Sequence, residues 1–286
     1  MKNRKVSVVI PAKNESSSIS KVIEALVSNQ LINEVIVVDD GSTDHTGEIA
    51  SSLGAKLITH PYSKGNGAAI KTGARAAVGD VLVFMDADGQ HSPEDIQKLL
   101  SKIEEGFDLV VGSRDSRSQA SFGRLLANSL YNRLSSYVTG HRIADLTSGF
   151  RAVRREKFLQ FLSLLPNGFS YPTTSTIAFF RAGYSVAYVP VKVLRRSGKS
   201  HIKPIQDGIR FLLIIFKIGT LYSPLKLFVP VSFGVFMLGI SYYGYTYFTE
   251  GRFTNMSALM FTTALIVFLV GLVSEQITSL LYKDSD

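Results

Sequence analysis

Residues Val81 to Gln90 read VLVFMDADGQ, an apolar run of strand length that stops on two carboxylates one residue apart, Asp86 and Asp88. An unbroken apolar strand is what a parallel sheet covered on both faces requires. Its carboxyl end is the edge where open α/β folds keep their ligands. Two acidic side chains at that edge ask for a divalent cation. Carboxylate oxygens suit Mg²⁺ or Mn²⁺, which complete their shells with water and phosphate oxygens rather than with more protein groups. A nucleoside diphosphate is the expected companion. Asp and Gly also build ordinary turns, so the pattern must be weighed with its surroundings.

Those surroundings alternate. Val6 to Ile10, Glu34 to Val38 and Ala55 to Thr59 have strand patterns, while Ser16 to Ser28, Thr46 to Leu53 and Gly67 to Ala77 have helical ones, the first capped by its serines. Strands separated by helices of this length predict βαβ units in a mostly parallel, Rossmann-like sheet. Parallel strands all point the same way, so Pro11-Ala12-Lys13-Asn14-Glu15 and Asp39-Asp40-Gly41-Ser42 converge on Asp86 and Asp88. Carboxylates in such a cluster accept hydrogen bonds from a base N–H or a ribose hydroxyl, and small residues let a ligand approach the backbone.

Composition points to a second, apolar part. The 286 residues are 45% hydrophobic, mean hydropathy is positive, and the excess lies past Phe211. Leu227 to Phe248 carries no charge, and Ser257 to Ile277 carries only Glu275 near its end. Each is long enough to cross a hydrocarbon core of roughly 30 Å as a helix. Basic residues from Lys192 to Lys226 precede the first run, Lys283 follows the second, and the connection at Glu250-Gly251-Arg252 is short. The positive-inside rule then places both termini and the large domain in the cytoplasm, at the inner membrane. Tyr242, Tyr243, Tyr245 and Tyr247 collect near one end of the first run, as interfacial aromatics do. Buried core helices of a larger soluble protein would be the other reading.

The expected division is 1–203 for the catalytic domain, 204–226 for a juxtamembrane region with an interfacial helix over Ile205 to Ile218, and 227–281 for a two-helix hairpin. Pro204 and Pro224 bracket the middle region, and Gly208 weakens its helix. The basic start, Met1 to Lys5, leads into a strand-length run rather than a secretory signal. There is no cysteine, which removes disulfide and thiolate chemistry. The net charge of +8 sits beside the apolar runs and in candidate phosphate loops, so membrane lipid rather than nucleic acid is the expected partner. Gly234, Gly239 and Gly244 are small residues through which hairpins can associate into a homo-oligomer.

The chain resembles the family 2 glycosyltransferases of GT-A fold, and within them the polyprenyl-phosphate sugar transferases similar to dolichol-phosphate mannose synthase. The carrying motifs are VSVVIPAKNE from Val6, VIVVDDGSTDHT from Val35, KGNGAAIKTG from Lys64, VFMDADGQHSPEDI from Val83, VVGSR ending at Arg114 and DLTSGFRAVRR from Asp145. The two terminal runs resemble those of membrane-anchored bacterial members that use an isoprenoid phosphate such as undecaprenyl phosphate. The resemblance implies a nucleotide-sugar pocket of Pro11, Glu15, Asp39, Asp40, Lys64, Gly67, Lys71, Asp86, Ala87 and Asp88. It implies a Mg²⁺ or Mn²⁺ site of Asp86, Asp88 and Gln90, with Asp88 most directly on the ion. It places Arg114, Arg124 and Asn128 around the lipid phosphate, Asp145 near the sugar, and Arg196 and Lys199 in a loop that closes over donor phosphates and lipid headgroups. Lys13 stands where the mannose synthases often carry an aromatic residue, which leaves both UDP- and GDP-sugars open.

The implied reaction is inverting transfer of a sugar to a polyprenyl phosphate, undecaprenyl or dolichyl, feeding cell-envelope glycan. The metal and basic groups stabilise the leaving nucleoside diphosphate, and a phosphate nucleophile needs no strong base. Asp145 has an alternative reading as the cap of a following helix. His91 follows the metal motif, but the histidines show no zinc spacing. A processive polysaccharide synthase would share the donor motifs, yet such enzymes carry a QxxRW-like motif and this chain has no tryptophan. A non-catalytic membrane adaptor on a transferase fold would not need Asp86, Asp88 and Gln90 intact.

Overall fold

The computed structural model describes residues 4–114, 129, 132, 133, 135–137, 139–168, 170–192, 213, 216, 219, 220 and 222–283. They include seven strands in one sheet: β1 (Val6–Ala12), β2 (Glu34–Asp39), β3 (Lys56–Thr59), β4 (Val81–Phe84), β5 (Leu109–Arg114), β6 (Arg151–Arg154) and β7 (Val186–Val191), in the order β3-β2-β1-β4-β6-β5-β7. All neighbours pair parallel except β6, which lies antiparallel between β4 and β5. This is the mostly parallel, Rossmann-like sheet expected of a GT-A fold. The alternation rule missed β6, because a strand whose partners are 40 and more residues away leaves no local βαβ signal.

The helices around the sheet are α1 (Ile19–Val27), α2 (Thr46–Ser52), α3 (Asn66–Ala76), α4 (Asp95–Glu104), α5 (Arg155–Gln160) and α6 (Tyr171–Arg181). On one face Val8, Ile10, Val37, Val83, Val110 and Ala152 pack with α1 and α4 residues such as Ile23, Leu26, Ile96 and Leu99, nearly all fully buried. Each such aliphatic side chain contributes about 1.5–3 kcal/mol by leaving water. On the other face Phe84 meets Phe158 of α5 and Tyr171 of α6 at centroid distances of 4.8 and 6.2 Å. In α1 the buried residues Ile19, Val22, Ile23 and Leu26 follow the i, i+3, i+4, i+7 rule. The serines do not cap it: the Ser18 hydroxyl turns back to the Glu15 carboxylate at 2.9 Å, and the helix starts at Ile19.

The apolar runs form α7 (Pro224–Glu250) and α8 (Asn255–Lys283), both long and apolar enough to cross a membrane. The 27 residues of α7 extend roughly 40 Å. Only 11% and 17% of their apolar windows are buried, and Phe233, Leu238 and Leu265 stand more than half exposed. Core helices of a soluble protein would be mostly covered, so these outward apolar faces are those of candidate membrane spans. Between the helices Ser232 donates to the Ala264 carbonyl at 2.7 Å, while Gly239 lies against Met260 and Phe261 and Gly271 against Phe228. Gly239 therefore serves contact within the hairpin. Glu275 accepts from the Leu225 amide at 3.2 Å, an acid at the positive end of α7.

The chain divides into two compact units, one comprising 1–133 with 141–203 and the other 134–140 with 204–286. Residues 134–140 group with the hairpin segment, where Tyr222 donates to the Thr139 carbonyl at 3.3 Å. Most of the expected interfacial helix, Ile205 to Ile218, lies outside the described residues.

Candidate active site

The carboxyl ends of β1 and β2 are clasped together. Asn14 takes a left-handed backbone, φ 54°, which Asn tolerates better than most residues. Its side-chain oxygen accepts the Thr43 amide at 2.8 Å, while its own amide donates to Ser42 at 3.0 Å. The Glu15 amide donates to Thr46 at 2.9 Å, and Asp44 accepts from the Ser16 and Thr46 amides. Hydrogen bonds, from Thr46 foremost, hold Asp44 at about 2 against the slight opposing effect of burial. Pro11, Ala12 and Glu15 thus sit on a rim fixed to the Asp39 turn, where the Asp39 carboxylate accepts from the Ser42 amide at 2.9 Å.

Asp40 anchors the loop between β3 and α3. Its oxygens take hydrogen bonds from His60 Nδ1 at 2.7 Å, the Ser63 hydroxyl at 2.7 Å, the Lys64 amide at 2.8 Å and the Gly65 amide at 2.9 Å. Burial pushes its pKa up, but these four bonds outweigh it and hold Asp40 at about 2. The loop then lies so close to Gly41 that a β-carbon there would come within 2.9 Å of the Ser63 nitrogen, and Gly41 also has φ +70°. Asp40, expected in the nucleotide pocket, spends its carboxylate on shaping the loop.

Gly67 and Lys71 behave similarly. A β-carbon on Gly67 would clash with the Pro166 carbonyl, and Lys71 Nζ donates to the Leu165 carbonyl at 3.0 Å and to Asn167 at 2.6 Å. The glycine admits a crossing chain segment, and the lysine ties that segment down. Lys64 remains exposed, its Nζ 5.7 Å from the Tyr62 ring centre.

The ends of β4, β5 and β6 carry a different electrostatic pattern. Burial pushes Asp86 up to about 6, with Asp88 and Glu15 adding like-charge repulsion that Arg114 and Arg151 only partly offset. Asp88 accepts the Gln90 amide at 3.1 Å in a turn through Gly89, φ +70°. The segment before β6 passes over Asp86, where a side chain at Gly149 would meet the carboxylate at 3.1 Å. This segment brings Asp145 to Arg114: Nε and Nη2 reach its two oxygens at 2.8 and 3.0 Å, a bidentate pair. Burial raises the Asp145 pKa, but Arg114 outweighs it and the group lies below the usual carboxylate range. Arg114 Nη1 has no partner among the described residues. Asp145 also accepts the Thr147 and Ser148 amides, so it orders a turn into β6 and caps no helix.

Arg151 was not singled out from the sequence beyond its place in the SGFR motif. It is fully buried and donates to the carbonyls of Ser148 and Pro172 and to the Ser175 hydroxyl, fixing the turn above Asp86. His91 stacks on Phe150 at 4.8 Å, and burial lowers its pKa. Arg124, Asn128, Arg196 and Lys199 lie outside the described residues. Among the described residues no group of three His, Cys, Asp or Glu side chains forms a closed metal site. Asp86 and Asp88 instead present unmet negative charge, which suits an ion finished by phosphate and water.

A mostly parallel sheet with acidic side chains at its carboxyl edge, followed by two long apolar helices, is a GT-A type of glycosyltransferase architecture with candidate membrane spans. Residues 7–162 match the Glycosyl transferase family 2 domain and residues 223–280 match the GtrB C-terminal hairpin. The chain belongs to glycosyl transferase family 2. It is 30% identical to the glycosyltransferase AglJ of Haloferax volcanii across 96% of this chain and 94% of that one. It is 32% identical to the polyprenol monophosphomannose synthase of Mycolicibacterium smegmatis across 66% of this chain and 77% of that one. Among solved structures it is similar to glucosyl-3-phosphoglycerate synthase from Mycobacterium tuberculosis in complex with Mn²⁺, uridine diphosphate and glucosyl-3-phosphoglycerate. There the TM-score is 0.60 at 26% identity, covering 76% of this chain and 80% of that one.

Proposed function

We propose that this glycosyltransferase moves a sugar, with inversion, from a UDP- or GDP-sugar to a polyprenyl phosphate, undecaprenyl or dolichyl, at the cytoplasmic membrane face. The observation that carries this reading is the only partly compensated Asp86–Asp88–Glu15 charge beside the Arg114–Asp145 pair, on a chain that also carries an apolar hairpin. The relative from Mycolicibacterium smegmatis, a polyprenol monophosphomannose synthase, supports the acceptor class, and the Mn²⁺ and uridine diphosphate complex supports the donor class.

Asp86, Asp88 and Gln90 hold Mg²⁺ or Mn²⁺. When bound, the ion supplies Lewis-acid stabilisation of the departing diphosphate. Pro11, Ala87, Glu15, Asp39 and Lys64 line the donor side, while Asp40, Gly67 and Lys71 keep its walls in place. Asp145, kept ionised by Arg114, accepts a hydroxyl proton as a hydrogen bond and orients the sugar. Arg114 Nη1, Arg124, Asn128, Arg196 and Lys199 receive phosphate oxygens. A lipid phosphate oxygen bonds to the anomeric carbon as the bond from that carbon to the β-phosphate oxygen breaks, and the nucleoside diphosphate leaves. The phosphate is already ionised, so no side chain removes a proton.

Purified protein incubated with radiolabelled nucleotide sugars and undecaprenyl phosphate is expected to give a chloroform-soluble product. Equal product in excess chelator would remove the metal from the reading, and no lipid product from any donor would remove the acceptor. Because the chain lacks cysteine, one introduced at Gly251 reports orientation by labelling from the outer side of intact cells. Labelling confined to the cytoplasmic side would reverse the assigned topology.

A further inference from the structure

The loop from Pro61 to Gly65 is held more firmly than an ordinary surface connection. A buried carboxylate spends four hydrogen bonds on it, and Gly41 lets it lie in contact with the turn after β2. Desolvating a carboxylate is costly, so such an anchor is expected where a fixed loop position matters. Yet two of the side chains that the loop displays, Tyr62 and Lys64, stand in solvent. Tyr62 is 67% exposed, and Lys64 is exposed with its ammonium 5.7 Å from the Tyr62 ring centre. A rigid backbone presenting an unburied aromatic ring beside a cation has the chemistry of a stacking platform: the ring offers its face to a planar base, and the ammonium meets a nearby phosphate. Its position fits the same ligand, because it adjoins the Asp39–Ser42 turn at the donor edge. Lys13, on the neighbouring rim, offers no ring.

We propose that Tyr62 is the face on which the donor's nucleobase stacks and thereby a determinant of donor affinity. This rests on the nucleotide-sugar reading above. Stacking on an aromatic face is tolerant of base identity, so Tyr62 strengthens binding of uracil and guanine nucleotides alike and leaves the choice between them to hydrogen-bonding groups.

The test is calorimetric titration of UDP, GDP and pyrophosphate into the full chain in detergent with Mn²⁺. Tyr62→Ala is expected to weaken both nucleotides by roughly 5- to 150-fold, Tyr62→Phe to bind like wild type, and pyrophosphate affinity to be the same in all three proteins. In turnover assays the alanine variant raises the donor KM and leaves kcat close to wild type. Unchanged nucleotide affinity in Tyr62→Ala would overturn the proposal while leaving the donor reading intact. Equal loss of pyrophosphate binding would overturn it too, by making Tyr62 a support for the loop. Wild-type protein that binds pyrophosphate but neither nucleotide would overturn the donor reading and this inference together.

Discussion

Asp40, just past β2, and Asp86, just past β4, both lie at the carboxyl edge of one sheet, and their pKa values move in opposite directions, to about 2 and about 6. Both are penalised by burial. Asp40 is met by four donors from residues 20 to 25 positions away, whereas Asp86 faces further carboxylates whose repulsion Arg114 and Arg151 offset only in part. The first region is a cradle in which the Asp40 carboxylate is fully met by donors. The second is left electrostatically incomplete, a state that costs stability and that a cation relieves. One residue type is thus fully bonded at one strand end and left short of donors at the other, according to which donors the fold delivers.

Removing the incomplete side should have the largest effect. Asp88→Ala is expected to reduce turnover by at least about 10²–10³-fold while leaving the melting temperature at or above that of wild type. Retained turnover, measured with radiolabelled donor, would break the contrast. The pH dependence sharpens it. Proton and cation compete for Asp86, so Mn²⁺ affinity should fall about tenfold per pH unit below about 6 and flatten above it. Calorimetry across pH 5 to 8 reads this, and a flat profile would argue against Asp86 as a ligand.

Stability should move in opposite directions at the two aspartates. The folded pKa of Asp40 lies below its unfolded value, so its contribution is present above about 4 and is lost as pH falls toward 2. The folded pKa of Asp86 lies above its unfolded value, so stability declines as pH rises from about 4 through about 6. At pH 7.5 without metal, Asp40→Ala should cost about 2–3 kcal/mol and Asp86→Asn should gain about 1–3 kcal/mol. Thermal melts of the two variants with the same sign would refute the comparison. The smallest effect is expected at Lys71→Met, which frees the segment at Leu165 and Asn167 for about 1 kcal/mol with little change in kcat.

What the linear pattern determined was everything written in neighbouring residues. The VLVFMDADGQ strand, the βαβ alternation from Val6 to Phe84 and the two uncharged runs all follow from period, length and charge. Tertiary structure alone decided how the acidic groups divide their work. β6 enters antiparallel between β4 and β5, and its approach carries Asp145 to Arg114 and lays Gly149 over Asp86. Asp40, Gly67 and Lys71 read as ligand contacts in sequence, and the fold also sets them against His60, Ser63, Pro166 and Asn167, which no local pattern announced. A carboxylate's role depends on the donors and charges within a few ångströms, and those arrive from segments whose sequence separation no local periodicity encodes.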